Sequence, residues 1–409
     1  MSWFSKLSPE IRQYAVITGN YWAFTLTDGA LRMLVVLYFY GLGYSPLEIA
    51  MLFLFYEVFG VVTNLIGGWL GARLGLNKTM NIGLFLQIAA LAMLLVPASL
   101  LTVPWVMAAQ AVSGIAKDLN KMSAKSSIKL LVPANAQGQL YKWIAILTGS
   151  KNALKGTGFF LGGALLSLLG FKGAILGMAT ALTAVWISSL LTLEKDLGKA
   201  KSKPKFTEIF SKSKAINYLS AARMFLFGSR DVWFVVALPV YLAGTFGWDH
   251  WSVSGFLAIW IIAYGFVQAL APKITGTKTG QAPDGRHAFV WALALALPAV
   301  VIALSLTYEW YTATILLAGL LVFGALFAVN SSLHSYLIVS YAGDDGVSLD
   351  VGFYYMANAM GRLIGTLLSG WLFQDYGLAI CLWVSAAFIG LTALISLKLP
   401  RHTSREEPS

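Results

Sequence analysis

The sequence predicts an all-α membrane protein with twelve transmembrane helices in two six-helix halves. Three observations predict it: the composition, the spacing of apolar stretches, and an echo between the two halves. Of 409 residues, 58% are hydrophobic and 11% charged, against roughly 25% charged in soluble domains. Apolar stretches long enough to cross a bilayer, about 20 residues, fall at 14–40, 46–71, 79–99, 103–130, 140–168 and 171–193. A second set falls at 215–244, 251–274, 288–307, 311–341, 347–373 and 376–398. The echo appears where "NALKGTGFFLGGALLSLLG" from Asn152 returns as "NAMGRLIGTLLSGWLFQDYG" from Asn358, an offset of 206 residues. Gly114 with Asn120 in the fourth span returns as Gly324 with Asn330 in the tenth, and "LVVL" at Leu34 as "FVVA" at Phe234. Three echoes in one order favour two parallel repeats.

The first span follows a short segment with Lys6, Glu10 and Arg12 and no small-residue cleavage site, so no cleavable signal peptide is expected and that span directs insertion. Between the sixth and seventh spans, "EKDLGKAKSKPKFTEIFSKSK" carries Lys195, Lys199, Lys201, Lys203, Lys205, Lys212 and Lys214 without apolar periodicity. The expected organisation is therefore an N-terminal half over 1–194, a basic linker over 195–214, a C-terminal half over 215–398 and a tail over 399–409. Even-numbered connections hold Arg73, Lys78, Lys142, Lys273 and Arg286, while the odd ones add little beyond Lys172. The positive-inside rule then puts both termini in the cytoplasm. Most of the net charge of +11 is topological, and no nucleic-acid partner is needed to explain it. The single cysteine, Cys381, excludes an intrachain disulfide and a multi-thiolate metal site. No metal site or cofactor is expected, and no G-x-x-x-x-G-K-[ST] loop is present for ATP. Transport driven by a gradient or by exchange is the expected class, not an enzyme.

Charge inside the spans is the informative feature. "AKDLNKMSAKSSIKL", residues 116–130, spaces Lys117, Lys121, Lys125 and Lys129 four apart, so they wind slowly around one side of the fourth span. Lys117 lies about 18 Å below Trp105, near the midplane. A central lysine facing lipid costs roughly 3 kcal/mol, so Lys117 and Lys121 are expected to face water, an anion or an acid such as Asp118. Lys125 and Lys129 are expected to snorkel to the headgroups. The fifth span adds Lys151 and Lys155, the eleventh Arg362, the seventh Arg223 and Arg230 with Asp231, and the first Asp28 with Arg32. Asp28 and Arg32 are one turn apart and can pair. Arg230 and Asp231, as sequence neighbours, are expected to reach different partners.

Eight deep cations (Arg32, Lys117, Lys121, Lys151, Lys155, Arg223, Arg230, Arg362) stand against Asp28, Glu57, Asp118 and Asp231, a surplus of four. Such a cavity attracts a multiply charged small anion, with phosphate esters fitting best, because arginine grips oxyanions bidentately and lysine attracts as a point charge. Asn20, Asn120, Asn152, Asn330 and Asn358 could bond substrate or neighbouring helices. Tyr21, Trp22, Trp143, Trp233, Tyr354 and Tyr355 read mainly as packing or interface residues, with Tyr355 retained as a binding candidate. Proton-exchange or ion-pair candidates are Asp28, Glu57, Asp118, Asp231 and Asp350; His334 reads as a hydrogen-bonded polar residue.

The layout resembles the major facilitator superfamily across the whole chain. Its G-x-L-x-D-R-x-G signature between spans two and three is seen as "GGWLGARLGLNK", with Gly68, Arg73 and Gly75 in place and Ala72 where the family has aspartate. That change puts the acid-based latch between the halves in doubt. Longer stretches, "NYWAFTLTDGALRMLVVLYF", "SGIAKDLNKMSAKSSIKLLVP", "GSKNALKG" and "DGVSLDVGFYYMANAMGRLIGTLLSG", resemble the ArsJ-type organoarsenical efflux permeases. That resemblance implies export of 1-arseno-3-phosphoglycerate, with a functional link to the glyceraldehyde-3-phosphate dehydrogenase that forms the ester; a monomer in a bacterial inner membrane is expected. From residue type alone, an organophosphate–phosphate exchanger working in uptake stays open.

Overall fold

The computed structural model describes residues 8–43, 52–133, 135–194, 197–199, 212–248, 250–275, 282–344 and 346–401. Among them are eleven α-helices: α1 (Pro9–Gly41), α2 (Leu54–Leu74), α3 (Leu76–Met93), α4 (Val103–Leu131), α5 (Gln137–Thr192), α6 (Lys214–Phe234), α7 (Ala237–Thr245), α8 (His250–Ile274), α9 (Gly285–Tyr308), α10 (Thr312–Tyr341) and α11 (Val347–Ser396). The basic linker is described only at 197–199 and 212–214, and the tail only to Arg401; the rest of both lies outside the described residues.

Eleven helices make twelve spans because two of them turn back and one span is split. α5 has 56 residues and α11 has 50, far more than one crossing needs. Gly170 (φ 66°, ψ 178°) and Gly377 (φ 78°, ψ −177°) interrupt them in a left-handed conformation that only glycine adopts cheaply. The sequence puts those breaks at 169–170 and 374–375, the same places in the two halves. The seventh span is divided at Val235 and Val236 into α6 and α7. There the Ser369 hydroxyl accepts from the amides of Val236 (3.4 Å) and Ala237 (3.1 Å), meeting donors that the broken helix leaves open. By length and apolarity alone, six helices qualify as spans among the described residues. α4 and α6 fall short because they carry the buried lysines, arginines and aspartates, which is the reason to examine them.

The repeat is visible in the packing. Gly114 meets Tyr56 of the second span, as Gly324 meets Trp260 of the eighth. Asn120 packs on Gly83 of the third span, as Asn330 bonds the Trp291 carbonyl of the ninth at 2.8 Å. Gly158 and Gly162 let α5 touch the α1 backbone at Leu26 and Ala30, as Gly361 and Gly365 let α11 touch α6 at Met224 and Gly228. Small residues four apart permit this approach without lipid-excluding side chains. These glycine pairs lie three residues off the register of Asn152 and Asn358. The residue-by-residue offset read from the asparagines is corrected accordingly.

Three apolar cores organise the molecule. One belongs to the first half (Phe24, Leu34, Leu84, Phe171, Leu182) and one to the second (Leu226, Trp233, Trp260, Phe323, Ile389). The third lies at the face carrying both chain ends and joins the halves, with Ile17, Met122 and Ile144 beside Leu219, Leu333, Tyr336 and Val351. Other cross-half contacts share that side. Gly68 abuts Ser348 and Gly352, Ser348 donates to the Gly68 carbonyl (2.8 Å), and Gly149 faces Gly265. The halves are therefore sealed on the face bearing the termini. Ala72 is fully buried there, and close backbone packing occupies the place where an acid latch was in question.

Candidate functional site

α4 brings its lysines to the junction of the halves. Lys117, partly buried, sets its Nζ 3.8 Å from the centre of the Tyr56 ring. One turn on, Lys121 pairs with Asp118 at 2.6 Å and lies over Tyr355 of α11 at 4.6 Å. Lys125 is 3% exposed and does not reach the headgroups. Its Nζ donates to the Tyr355 hydroxyl and to Ser335 (3.3 Å), both across the seam. Lys129 likewise turns inward, donating to the carbonyls of Ala342 and Ser340 at the end of α10, with Asp344 at 3.6 Å. Both snorkelling expectations are corrected. The sealed seam places α10 and α11 where lipid headgroups were assumed.

The second half answers with guanidinium groups. Asp231, fully buried, accepts from Arg230 (Nη2, 2.5 Å) and from Arg362 (Nε, 3.2 Å). Arg230 and Asp231 thus pair with each other, contrary to the neighbour rule, because arginine's flexible stem folds its head back although the two Cβ atoms diverge. Arg223, 3% exposed, donates to Asn358 Oδ1 (2.8 Å) and to the Ser331 carbonyl (3.2 Å), stacked 3.9 Å over Phe227.

In the first half, Asp28 accepts from the Tyr56 hydroxyl at 2.8 and 3.0 Å, and Arg32 lies over the rings of Phe53 and Tyr56. Lys155 lies 6.0 Å from the Phe159 ring centre. Lys151 has no hydrogen bond or ion pair among the described residues. Lys121, Lys155, Arg362 and Lys117 all stand within electrostatic range of its ammonium. The Arg362 side chain, halfway along its span, is 38% exposed, so its head is not enclosed in a packed core.

Other candidates sit elsewhere. Asn120 bonds the carbonyl of Ala116 (3.0 Å) and packs on α3, so its contacts are internal to the first half. Asn152 joins Gln268 across the halves (2.9 Å), and Asn20 bonds Ser189 (2.9 Å). Asp350 holds Lys212 (3.3 Å) and the Gly343 amide at the sealed face, outside the cation cluster. His334 is fully buried with neither ring nitrogen hydrogen-bonded, against the expectation of a bonded histidine. The side chain of Glu57 lies outside the described residues. Among the described residues no group of three or more His, Cys, Asp or Glu gathers to hold a metal.

Lys117, Lys125, Lys151 and Arg223 are therefore cations with no carboxylate partner among the described residues, drawn from both halves. Burying such charges is costly unless an anion offsets them.

A family model described as Major Facilitator Superfamily matches residues 17–340. The chain belongs to the Major Facilitator Superfamily. No curated protein sequence matches it. Among solved structures it is similar to the human organic anion transporter MFSD10 (15% identity, 95% of this chain and 100% of that chain, TM-score 0.76). It is also similar to the E. coli fucose:proton symporter (11%, 95% and 99%, TM-score 0.73). A third likeness is to a bacterial homologue of the iron transporter ferroportin in an outward-facing state (14%, 94% and 98%, TM-score 0.74). At these identities the likeness is one of fold. The protein is a membrane transporter of the superfamily type and not an enzyme.

In this superfamily member the sequence reading counted Arg223 among the deep cations without giving it a binding role, and it assigned Lys125 to the headgroups. A signal was available for the lysine: its sequence neighbours Ser123, Ser126 and Ser127 lie on other faces of the same turns of α4 and are all buried, so this part of α4 is enclosed by protein all round.

Proposed function

We propose that this transporter exports a multiply charged phosphate ester, 1-arseno-3-phosphoglycerate, by alternating access, and so confers arsenate resistance. The observation that carries the anionic cargo is Lys151, a cation without an acid partner and within electrostatic range of four others contributed by both halves. Arsenic itself enters through the motifs of α1, α4, α5 and α11 that resemble the organoarsenical permeases. Lys117, Lys121, Lys151 and Lys155 would hold one anionic end from the first half. Arg230 and Arg362 would hold the other from the second, with Asn358 and Tyr355 one and two turns nearer the sealed face on α11. Asp118 and Asp231 compete for the same cations, which eases release once the halves rock. With the termini in the cytoplasm, as the basic connections suggest, the sealed face is cytoplasmic and the shared space opens outward.

Uptake of labelled arseno-ester into inverted vesicles, with and without a proton gradient, tests this directly. Lys117→Ala and Arg362→Ala should each abolish arsenate resistance at unchanged protein level. Normal resistance in both rejects the assignment. Phosphate-loaded counterflow without net export would identify an organophosphate–phosphate exchanger instead.

A further inference from the structure

The unmatched cations lie at two depths. Lys125 is four residues nearer the sealed face than Lys121, Asn358 four nearer than Arg362, and Arg223 seven nearer than Arg230. At 1.5 Å per residue these are displacements of about 6, 6 and 10 Å in one direction, on three helices. The shallower level has carboxylates, Asp118 and Asp231. The deeper level has none within ion-pair distance of its two cations among the described residues.

At that deeper level Lys125 and Arg223 stand within electrostatic range of each other, and every group bonded to them is neutral. Lys125 reaches the Tyr355 and Ser335 hydroxyls, while Arg223 reaches the Asn358 amide oxygen and the Ser331 carbonyl. Arg223 thus uses two of a guanidinium's five donors. His334 sits within range of Arg223, fully buried, with both ring nitrogens unpartnered. Two like charges in a dry setting, guanidinium donors beyond the two in use and an imidazole with no hydrogen bond together favour an oxyanion as counter-charge. The Phe227 ring 3.9 Å from Arg223 Cζ and the Tyr354 ring at 5.2 Å hold the guanidinium, whose Nη2 donors are not among those bonded to Asn358 and Ser331.

We propose that Lys125, Arg223 and His334, lined by Tyr355 and Asn358, form an inner subsite for one tetrahedral oxyanion, either free inorganic phosphate or the phosphate end of an ester. This deepens the anion-carrier reading above and does not require arsenic in the cargo.

Purified full-length protein is titrated calorimetrically with inorganic phosphate and, separately, with 3-phosphoglycerate, in a gluconate buffer. Wild-type protein should bind at least one probe. Lys125→Met and Arg223→Met should weaken that binding about tenfold or more, and Lys125→Arg should recover most of it. Lys172→Met, at an exposed lysine just past the Gly170 break and outside the cation cluster, should leave binding of both probes within about twofold. Binding of inorganic phosphate assigns the subsite to the free ion; binding of the ester alone assigns it to the ester's head. Unfolding temperatures without anion guard against misfolding. Removing a buried, uncompensated ammonium should leave Lys125→Met as stable as wild type or more so. The proposal is overturned if neither probe binds wild-type protein, if Lys125→Met binds as wild type does, or if it unfolds earlier while the arginine variant does not restore binding. Loss of arsenate resistance plays no part in the readout, so failure of the arsenical reading leaves the subsite standing.

Discussion

Gly68→Ala should open the sealed face without unfolding either half. A Cβ at residue 68 would stand 2.5 Å from the Ser348 carbonyl oxygen and 3.0 Å from the Gly352 Cα. Ordinary carbon-to-oxygen approach is about 3.3–3.6 Å, so α2 and α11 must part by roughly 1 Å. Backbone cannot rotate aside as a side-chain tip can. Overpacking of this kind costs about 1–3 kcal/mol. Because the contact joins the two halves, the cost falls on the closed conformation and not on the fold, reducing the closed-to-open ratio roughly 5- to 150-fold. The assay is thiol labelling of Ser335→Cys in a Cys381→Ser background. Ser335 is fully buried and receives the cross-seam bond from Lys125. Labelling should quicken at least about fivefold in Gly68→Ala, with the unfolding temperature near that of the parent. Gly361→Ala serves as contrast, since its Cβ would fall 2.0 Å from the Met224 carbonyl oxygen inside one half. That variant should lose folded yield. Unchanged labelling in well-folded Gly68→Ala protein would refute the assignment of this contact to the conformational equilibrium.

Asp231→Asn removes a buried carboxylate shared by two arginines and should destabilise the protein by about 3–5 kcal/mol, read by denaturant or thermal unfolding. Combining it with Arg362→Met should recover part of the loss, and strict additivity would argue against a shared network. Asn120→Ala should leave anion affinity unchanged within about twofold while lowering stability by about 1 kcal/mol, since its bonds stay within the first half. A large loss of affinity at that position would restore Asn120 to the site.

The spans were legible because a bilayer imposes length and apolarity on any helix that crosses it, and even the breaks at Gly170 and Gly377 fell within a few residues of expectation. The lysine stripe was legible for the same reason, since a charge stands out where charge is expensive. Depth was harder to read. Residue counting placed Lys125 near a membrane edge, but whether an edge is wetted by headgroups or covered by another helix depends on packing across the seam, which no single span records. The pairing of Arg230 with Asp231 escaped because rules for helix neighbours describe where Cβ atoms point, whereas a guanidinium at the end of a long stem can return to its neighbour. Close backbone contacts such as Gly68 with Gly352 leave only a glycine in the sequence, and most glycines carry no such burden.

The interruption of the seventh span also has a mechanical side. The stretch from Ala237 to Thr245 is a rod of its own, joined to the arginine-bearing segment through Val235 and Val236, of which Val236 departs from helical angles (φ −121°, ψ −52°), and through one serine hydroxyl on α11. A bend there ruptures no continuous ladder of amide bonds, because the ladder is already cut. The Ala237–Thr245 rod can therefore change its angle to α6 without first breaking helix hydrogen bonds and without displacing Arg223 or Arg230.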